Sequence, residues 1–288
     1  MYANRRAKND FKDRIAVFHP REYAHEVAFH NTLTEFQYAL SNDRITYYLQ
    51  PQVDMETGEI IGAEALTRWI NKDGSLISPA TFIPALEESG FVVTLDKYIW
   101  QGVASWLRER LDRGLRVVLI SLNGRRAWRD PSLRRRRSHC AGRSPPNHNL
   151  PPELIRIEIT ETAYTGESGA VDRLTADLHT RGFSTYMDDF GTGQSTLAML
   201  KNVNVDVIKL DRTFVPVDSD QGRSAQIISS TLEMAHLLHL PVVIEGVETE
   251  AQAQLLRQMG ARYAQGFLYN RPMPAVDFEA LLDGGNNN

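Results

Sequence analysis

Phe183-Ser184-Thr185-Tyr186-Met187-Asp188-Asp189-Phe190-Gly191-Thr192-Gly193 is the stretch on which the fold turns. A largely apolar run ends in two adjacent carboxylates, and a glycine-rich turn follows. A strand that carries acids to its C-terminal tip and then turns sharply suits metal binding better than core packing. Strict alternation would send Asp188 and Asp189 to opposite faces of a regular strand. The turn can rotate Asp189 back toward the same side. Alone, the pair reads equally well as a helix cap, since Asp is common before a helix. The other strand ends decide between the two.

Upstream, residues 168–181 carry Val171, Leu174 and Leu178 at helical spacing and stop at Gly182. Residues 155–160 and 117–122 read as buried strands, the first followed by Glu161 and the second ending at Asn123. Leu95, Ile99, Val103, Leu107 and Leu111 repeat at four-residue spacing in a helix that ends at Gly114. Ser78-Pro79 is a helix start, a capping serine with proline at the first helical position, and Gly90 is the stop. Residues 60–69 form a strand around Glu64. Residues 45–50 form another that runs into Pro51, with a turn at residues 55–58 between them. Residues 22–41 are helical, with Val27, Leu33, Phe36 and Leu40 as the apolar face.

Downstream, residues 205–211 predict a short strand and residues 222–239 an amphipathic helix. Pro241 to Ile244 is a strand ending in Glu245-Gly246. Thr249-Glu250-Ala251-Gln252 fits a capping box, and residues 263–267 form the last strand. Strand and helix alternate roughly eight times in about 240 residues, which predicts an α/β fold, a (β/α)8 barrel with a mostly parallel sheet.

Composition bounds the rest. Of 288 residues 42% are hydrophobic and 24% charged, an ordinary globular balance. The single cysteine, Cys140, excludes an intramolecular disulfide and fits a reducing compartment. No apolar run approaches a membrane span, and no secretory leader opens the sequence. The net charge of -4 argues against a nucleic-acid polymer as partner. Residues 124–148 hold eight arginines against one acid, so the remainder of the chain stands at -11.

The C-terminal strand ends of such a barrel converge on one face, where the active site lies. Here those ends supply Gln50, Glu64, Asn123, Glu158, Asp188 with Asp189, Lys209 with Asp211, Glu245 and Gln265. Singly, each has a simpler account: Glu64 as ion-pair partner of Arg68, Asn123 as a helix cap, Lys209 as counter-charge to Asp211. Together, converging carboxylates repel unless a cation intervenes, and hard oxygen ligands suit magnesium or manganese. No Cys or His set has zinc spacing; His236 and His239 read as surface or packing residues of a helix.

These residues carry a resemblance. Glu64-Ala65-Leu66, within Gly62-Ala63-Glu64-Ala65-Leu66-Thr67-Arg68-Trp69, looks like the signature of the EAL domain family of cyclic di-GMP phosphodiesterases. Gln50-Pro51-Gln52, Glu158-Ile159-Thr160-Glu161, Asp188-Asp189-Phe190-Gly191-Thr192-Gly193, Lys209-Leu210-Asp211, Glu245-Gly246-Val247-Glu248-Thr249 and Gln265-Gly266-Phe267 resemble its other motifs, in order, over residues 30–280. The resemblance implies a barrel with one antiparallel strand, two divalent ions (Mg or Mn), and hydrolysis of cyclic di-GMP to linear pGpG. It implies that Glu64, Asn123, Glu158, Asp188 and Asp189 hold the metals, with Asp188 bridging, and that Lys209 and Glu245 position or deprotonate the attacking water. Gln50, Arg68, Asp211 and Gln265 would face substrate. Glu161 and Glu248 would brace the loop after Asp188 and the surface of a homodimer. A domain of residues 30–288 follows, in a cytoplasmic setting, with the full-length protein open to membrane tethering. Residues 1–29 resemble the end of a GGDEF (diguanylate cyclase) domain and a linker. A catalytically silent EAL domain, sensing the dinucleotide or docking a partner, is the alternative function. An unrelated metal-dependent barrel hydrolase is a third.

Two departures stand out. Gln194 occupies a position where the family usually has tyrosine. Between Asn123 and Glu158, where a barrel needs an amphipathic helix, residues 124–148 are arginine-rich with two adjacent prolines and almost no apolar periodicity. A basic phosphate-binding loop, a solvated loop in place of the helix, and an altered reading frame are the three accounts. The abrupt change of composition between normal-looking flanks favours the last.

Overall fold

The computed structural model describes residues 20–123, 149–164, 169–191, 204–215 and 222–284. The expectations for the tail, for the arginine-rich stretch and for Gln194 lie outside these residues. The chain divides into two compact units, residues 1–46 with 68–92, and residues 47–67 with 93–288.

In the first unit, helix α1 (Pro20–Ser41) is as expected, although only Phe36 of its predicted face is fully buried and Val27 is exposed. Phe36 packs edge-on against Trp69 and Phe91, and Trp69 against Phe82. Helix α2 (Pro79–Ser89) starts and stops as read, with Pro79 in its first turn and Gly90 left-handed at its end. Ser78 holds the cap position through its backbone alone, without a side-chain cap bond.

The second unit is a closed eight-stranded barrel. Its strands are β1 (Ile45–Asp54), β2 (Ile60–Ile70), β4 (Leu119–Asn123), β5 (Ile155–Thr160), β6 (Ser184–Phe190), β7 (Val207–Leu210), β8 (Val242–Ile244) and β9 (Tyr263–Gln265). The two-residue strand β3 (Leu76–Ile77) belongs to the first unit, and β10 (Met273–Pro274) pairs with β1. From β2 to β9 the neighbours are parallel, while β1 pairs antiparallel with β9 and closes the ring beside β2. The reversal has a local cause. The connection of residues 55–59 is far shorter than the dozen or so residues a parallel crossover requires. Asp54 builds that turn: its carboxylate accepts from the amides of Glu56 and Thr57, and its carbonyl from Gly58.

β1 does not stop at Pro51 as the sequence suggests. Pro51 falls between the stretch paired to β10, Tyr48 and Leu49, and the stretch paired to β9, Gln52 to Asp54. The missing amide therefore lies between ladders, a tolerated place for proline.

The outer helices include α3 (Val92–Asp112), α5 (Ala170–Thr180), α6 (Arg223–Leu237), α7 (Glu250–Gln258) and α8 (Ala275–Gly284), with the single turn α4 (Glu161–Tyr164) after β5. Leu95, Ile99, Val103 and Leu107 are buried along α3, as their spacing predicts. Thr249 and Gln252 form the expected capping box of α7. Met187, Ile208, Leu210, Ile244 and Ala264 join one core cluster with Ile228, Leu232 and Leu256 from the helices. At the foot of β6, Asp206 accepts from the Thr185 amide at 2.7 Å and contacts His179 Nε2 at 2.9 Å. This ties helix α5 and the approach to β7 to that strand.

Candidate active site at the strand ends

The register of the parallel strands gathers the expected residues. Glu64 lies opposite Ser121, Asn123 opposite Glu158, and Thr160 opposite Asp188. Lys209 on β7 is 1% exposed, and four carboxylates lie around its ammonium: Glu245 at 2.6 Å, Glu158 at 2.9 Å, Asp188 at 3.1 Å and Glu64 at 3.2 Å. Lys209 thus turns toward these four rather than serving Asp211. Asp211 instead caps the short 3-10 turn Arg212–Phe214 by accepting from the Thr213 amide.

An ammonium has three N–H bonds, and four carboxylates exceed them. The bonds fall on Glu64 and Asp188 with good geometry. The approaches to Glu158 and Glu245 are within ion-pair distance but poorly aligned, so among the described residues both Glu158 oxygens and Glu245 Oε1 lack a well-aligned hydrogen-bond donor. Burial, with Glu64 nearby, pushes the Glu158 carboxyl well above the usual range despite Lys209. Burial likewise raises Glu245 to about 7. Burial opposes the charge on Lys209, yet Asp188, Glu158, Glu245 and Glu64 outweigh it and hold its pKa well above the ordinary value.

The two adjacent aspartates part company. Asp188 is buried in the cluster, while Asp189 is left-handed at φ 57 and the β6–β7 register shifts between Met187 and Phe190. The alternation that the sequence puts in question is therefore broken by a bulge, a conformation Asp tolerates better than most residues. Gly191 follows at φ 95, and a Cβ there would overlap the Phe214 ring. Its amide donates to Glu161 Oε2 at 2.9 Å, which pins the turn to the end of β5.

Gln50 and Gln265 are buried beside Glu64. Gln265 Nε2 donates to Gln50 Oε1 at 3.1 Å and to Glu64 Oε2 at 2.7 Å. Asn123 is half-buried, and its carbonyl accepts from Trp100 Nε1. Glu248 is exposed, its amide bonded to the Gln252 side chain. Arg68 belongs to the first unit, four residues beyond Glu64 on β2. His236 and His239 are exposed. Sequence reasoning gave no role to Gln52, which it quoted only within a motif, or to Arg156, and both join this network. Each lies two residues from a residue it did identify, Gln50 and Glu158, and so on the same strand face.

Among the described residues no group of three or more His, Cys, Asp or Glu side chains stands ready-made for a metal ion. Lys209 at their centre explains this, because the carboxylates turn inward on it. The donor set still fits divalent ions. Four carboxylates outnumber the one ammonium among them, and the Glu158 oxygens have coordination capacity to spare.

The family model of the EAL domain matches residues 33–272. The chain belongs to the EAL domain family. The cyclic di-GMP phosphodiesterase RocR of Pseudomonas aeruginosa is 33% identical over 263 residues, 90% of this chain and 65% of RocR. The probable cyclic di-GMP phosphodiesterase PdeB of Escherichia coli (strain K12) is 33% identical over 247 residues, 84% of this chain and 45% of PdeB. A solved structure of the PaMucR phosphodiesterase in complex with c-di-GMP superposes with a TM-score of 0.75 at 30% identity, covering 86% of this chain and 99% of that one. This EAL chain spans about a third to two thirds of the length of the curated relatives it matches. None of its described helices is long and apolar enough to cross a membrane.

Proposed function

We propose that this EAL domain hydrolyses cyclic di-GMP to linear pGpG with two divalent ions, Mg or Mn. The observation that carries this is the cluster of four carboxylates on one buried ammonium at the C-terminal ends of the barrel strands. The relatives named as cyclic di-GMP phosphodiesterases support the choice of substrate.

Glu64, Asn123, Glu158, Asp188 and Asp189 would hold the ions. The ions would supply Lewis acidity at the phosphoryl oxygens and a water of lowered pKa. The chain's own groups do the rest. Glu245, held at about 7, is poised to take a proton from the attacking water. The water oxygen bonds to phosphorus, the bond from phosphorus to the ribose 3′ oxygen breaks, and that oxygen leaves as a hydroxyl with a proton taken from solvent water. Lys209 holds Glu158, Asp188 and Glu245 in place and puts a fixed positive charge beside the nucleophile. Gln50, Gln265 and Asp211 would contact the dinucleotide; the role of Arg68 rests on its motif position. The proposal includes a cytoplasmic setting and a homodimer, with Glu161 securing the turn after Asp188 and Glu248 near the shared surface.

Incubation with cyclic di-GMP and Mn2+, followed by chromatography for pGpG, tests the proposal. Binding without product would transfer the protein to the sensor class.

A further inference from the structure

A line of buried side-chain bonds crosses the barrel from β5 to the site. Arg156 Nη1 donates to Gln52 Oε1 at 3.3 Å, and Gln52 Nε2 donates to Gln265 Oε1 at 3.0 Å. Gln265 Nε2 then donates to Glu64 Oε2 and Gln50 Oε1, and Gln50 Nε2 to the Asn270 carbonyl at 3.2 Å. The two ends of an amide are nearly equal in size, so an isolated glutamine side chain can flip at little steric cost. Here the ends of the line forbid it. A guanidinium only donates and a carboxylate only accepts. With Arg156 at one end, Gln52 must offer its oxygen there and its NH2 to Gln265. Gln265 must then offer oxygen to Gln52 and NH2 to Glu64.

Two further features hold the line together. A Cβ on Gly62 would lie 3.0 Å from Arg156 Nη1 and 3.2 Å from Gln52 Oε1, so β2 omits a side chain where those two meet. The Arg156 guanidinium lies over the Tyr186 ring, 4.8 Å from its centroid. Gln52 is wholly buried, where a misplaced amide leaves its polar groups unpaired in a low-dielectric interior.

We infer that Gln52 and Arg156 are positioning residues that fix the amide of Gln265 and, through it, the placing of the Glu64 carboxylate and the Gln50 amide. The inference rests on the metal-binding role proposed for Glu64. Hydrogen-bonding partners behind a metal ligand commonly control affinity, with losses of about 10–100-fold when they are removed.

The test is calorimetric titration of Mn2+ into the full chain without substrate. Arg156→Met and Gln52→Glu should each weaken Mn2+ binding about tenfold or more, and Arg156→Lys should recover most of it. Gln52→Glu is the discriminating variant. It turns the contact with Arg156 into an ion pair, yet it cannot donate to Gln265. A Gln52→Glu protein with wild-type Mn2+ affinity would overturn the inference, even if Arg156→Met proved too unstable to purify. These losses in the variants, beside a wild-type protein that yields no pGpG, would support the relay and overturn the hydrolase proposal. Mn2+ binding unaffected by Glu64→Ala would remove the relay's endpoint and the relay with it.

Discussion

Lys209 and Glu158 stand 2.9 Å apart with each side chain at most 1% exposed, yet among the described residues neither Glu158 oxygen finds a well-aligned hydrogen-bond donor. The lysine is a counter-ion shared too widely. Much of what can be measured on this protein follows from that shortage.

Lys209→Met removes the ammonium from among four carboxylates. Breaking a buried ion pair from one side costs about 3–5 kcal/mol. The metal-free variant should melt far below wild type, and millimolar Mg2+ should restore a larger part of its stability than it adds to wild type. Melting curves with chelator and with Mg2+ check this; a variant as stable as wild type without metal would contradict the counter-ion role.

Glu64→Ala removes a negative charge from a cluster in excess of it. Metal-free stability should stay level or rise slightly, and hydrolysis should fall by orders of magnitude. Glu64→Gln should be nearly as inactive, because a neutral amide cannot offset a cation. Melts run beside the pGpG assay separate this from a plain ion-pair role, in which stability would drop and activity survive.

The raised pKa of Glu245 gives a pH dependence with a definite sign. An unfolded glutamate titrates near 4.3 and the folded one near 7. The folded state therefore binds the extra proton, and its stability advantage is whole below the unfolded value and lost as pH rises through about 7. In chelator, the melting temperature should decline as pH rises from about 5 to about 8, with a shallower decline in Glu245→Gln. Burial raises Glu158 in the same direction, so the variant should keep part of the slope.

Calcium should occupy the carboxylates without supporting the reaction. It takes more ligands at about 2.3–2.6 Å, against about 2.0–2.1 Å for magnesium. Rates in Ca2+ equal to those in Mg2+ would count against a geometry-sensitive site.

The barrel was legible because its punctuation is local. Gly90, Gly114, Gly182 and Gly260 close helices at the chain positions where periodicity stops, and the β5 boundaries at Ile155 and Thr160 coincide with the apolar run. The site was legible only as a set of strand ends. Which carboxylate Lys209 would serve depends on register between strands up to 145 residues apart, and no local pattern encodes that. The sequence offered Asp211, the neighbour along the chain, and the fold chose Glu64 and its companions. The bulge at Asp189 was half visible: the sequence raised the alternation problem, but the left-handed backbone that resolves it depends on packing around Gly191 and Phe214. Gln52 and Arg156 were given no role because a lone glutamine or arginine in a strand has many uses, and the pair meets across 104 residues.

The reversed first strand has a consequence for biosynthesis. β1 leaves the ribosome well before its partner on the closing seam, β9, which is 213 residues later at the Gln52–Gln265 bond. Until β9 emerges, the sheet has two open edges, Gln50 and Gln52 lack their bonds to Gln265, and Glu64 lacks one of its donors. A chain stalled before Tyr263 would carry the full set of acidic residues without the seam that aligns them. The acidic cluster would therefore be aligned in one step, when β9 joins the seam, rather than by degrees as the earlier strands emerge.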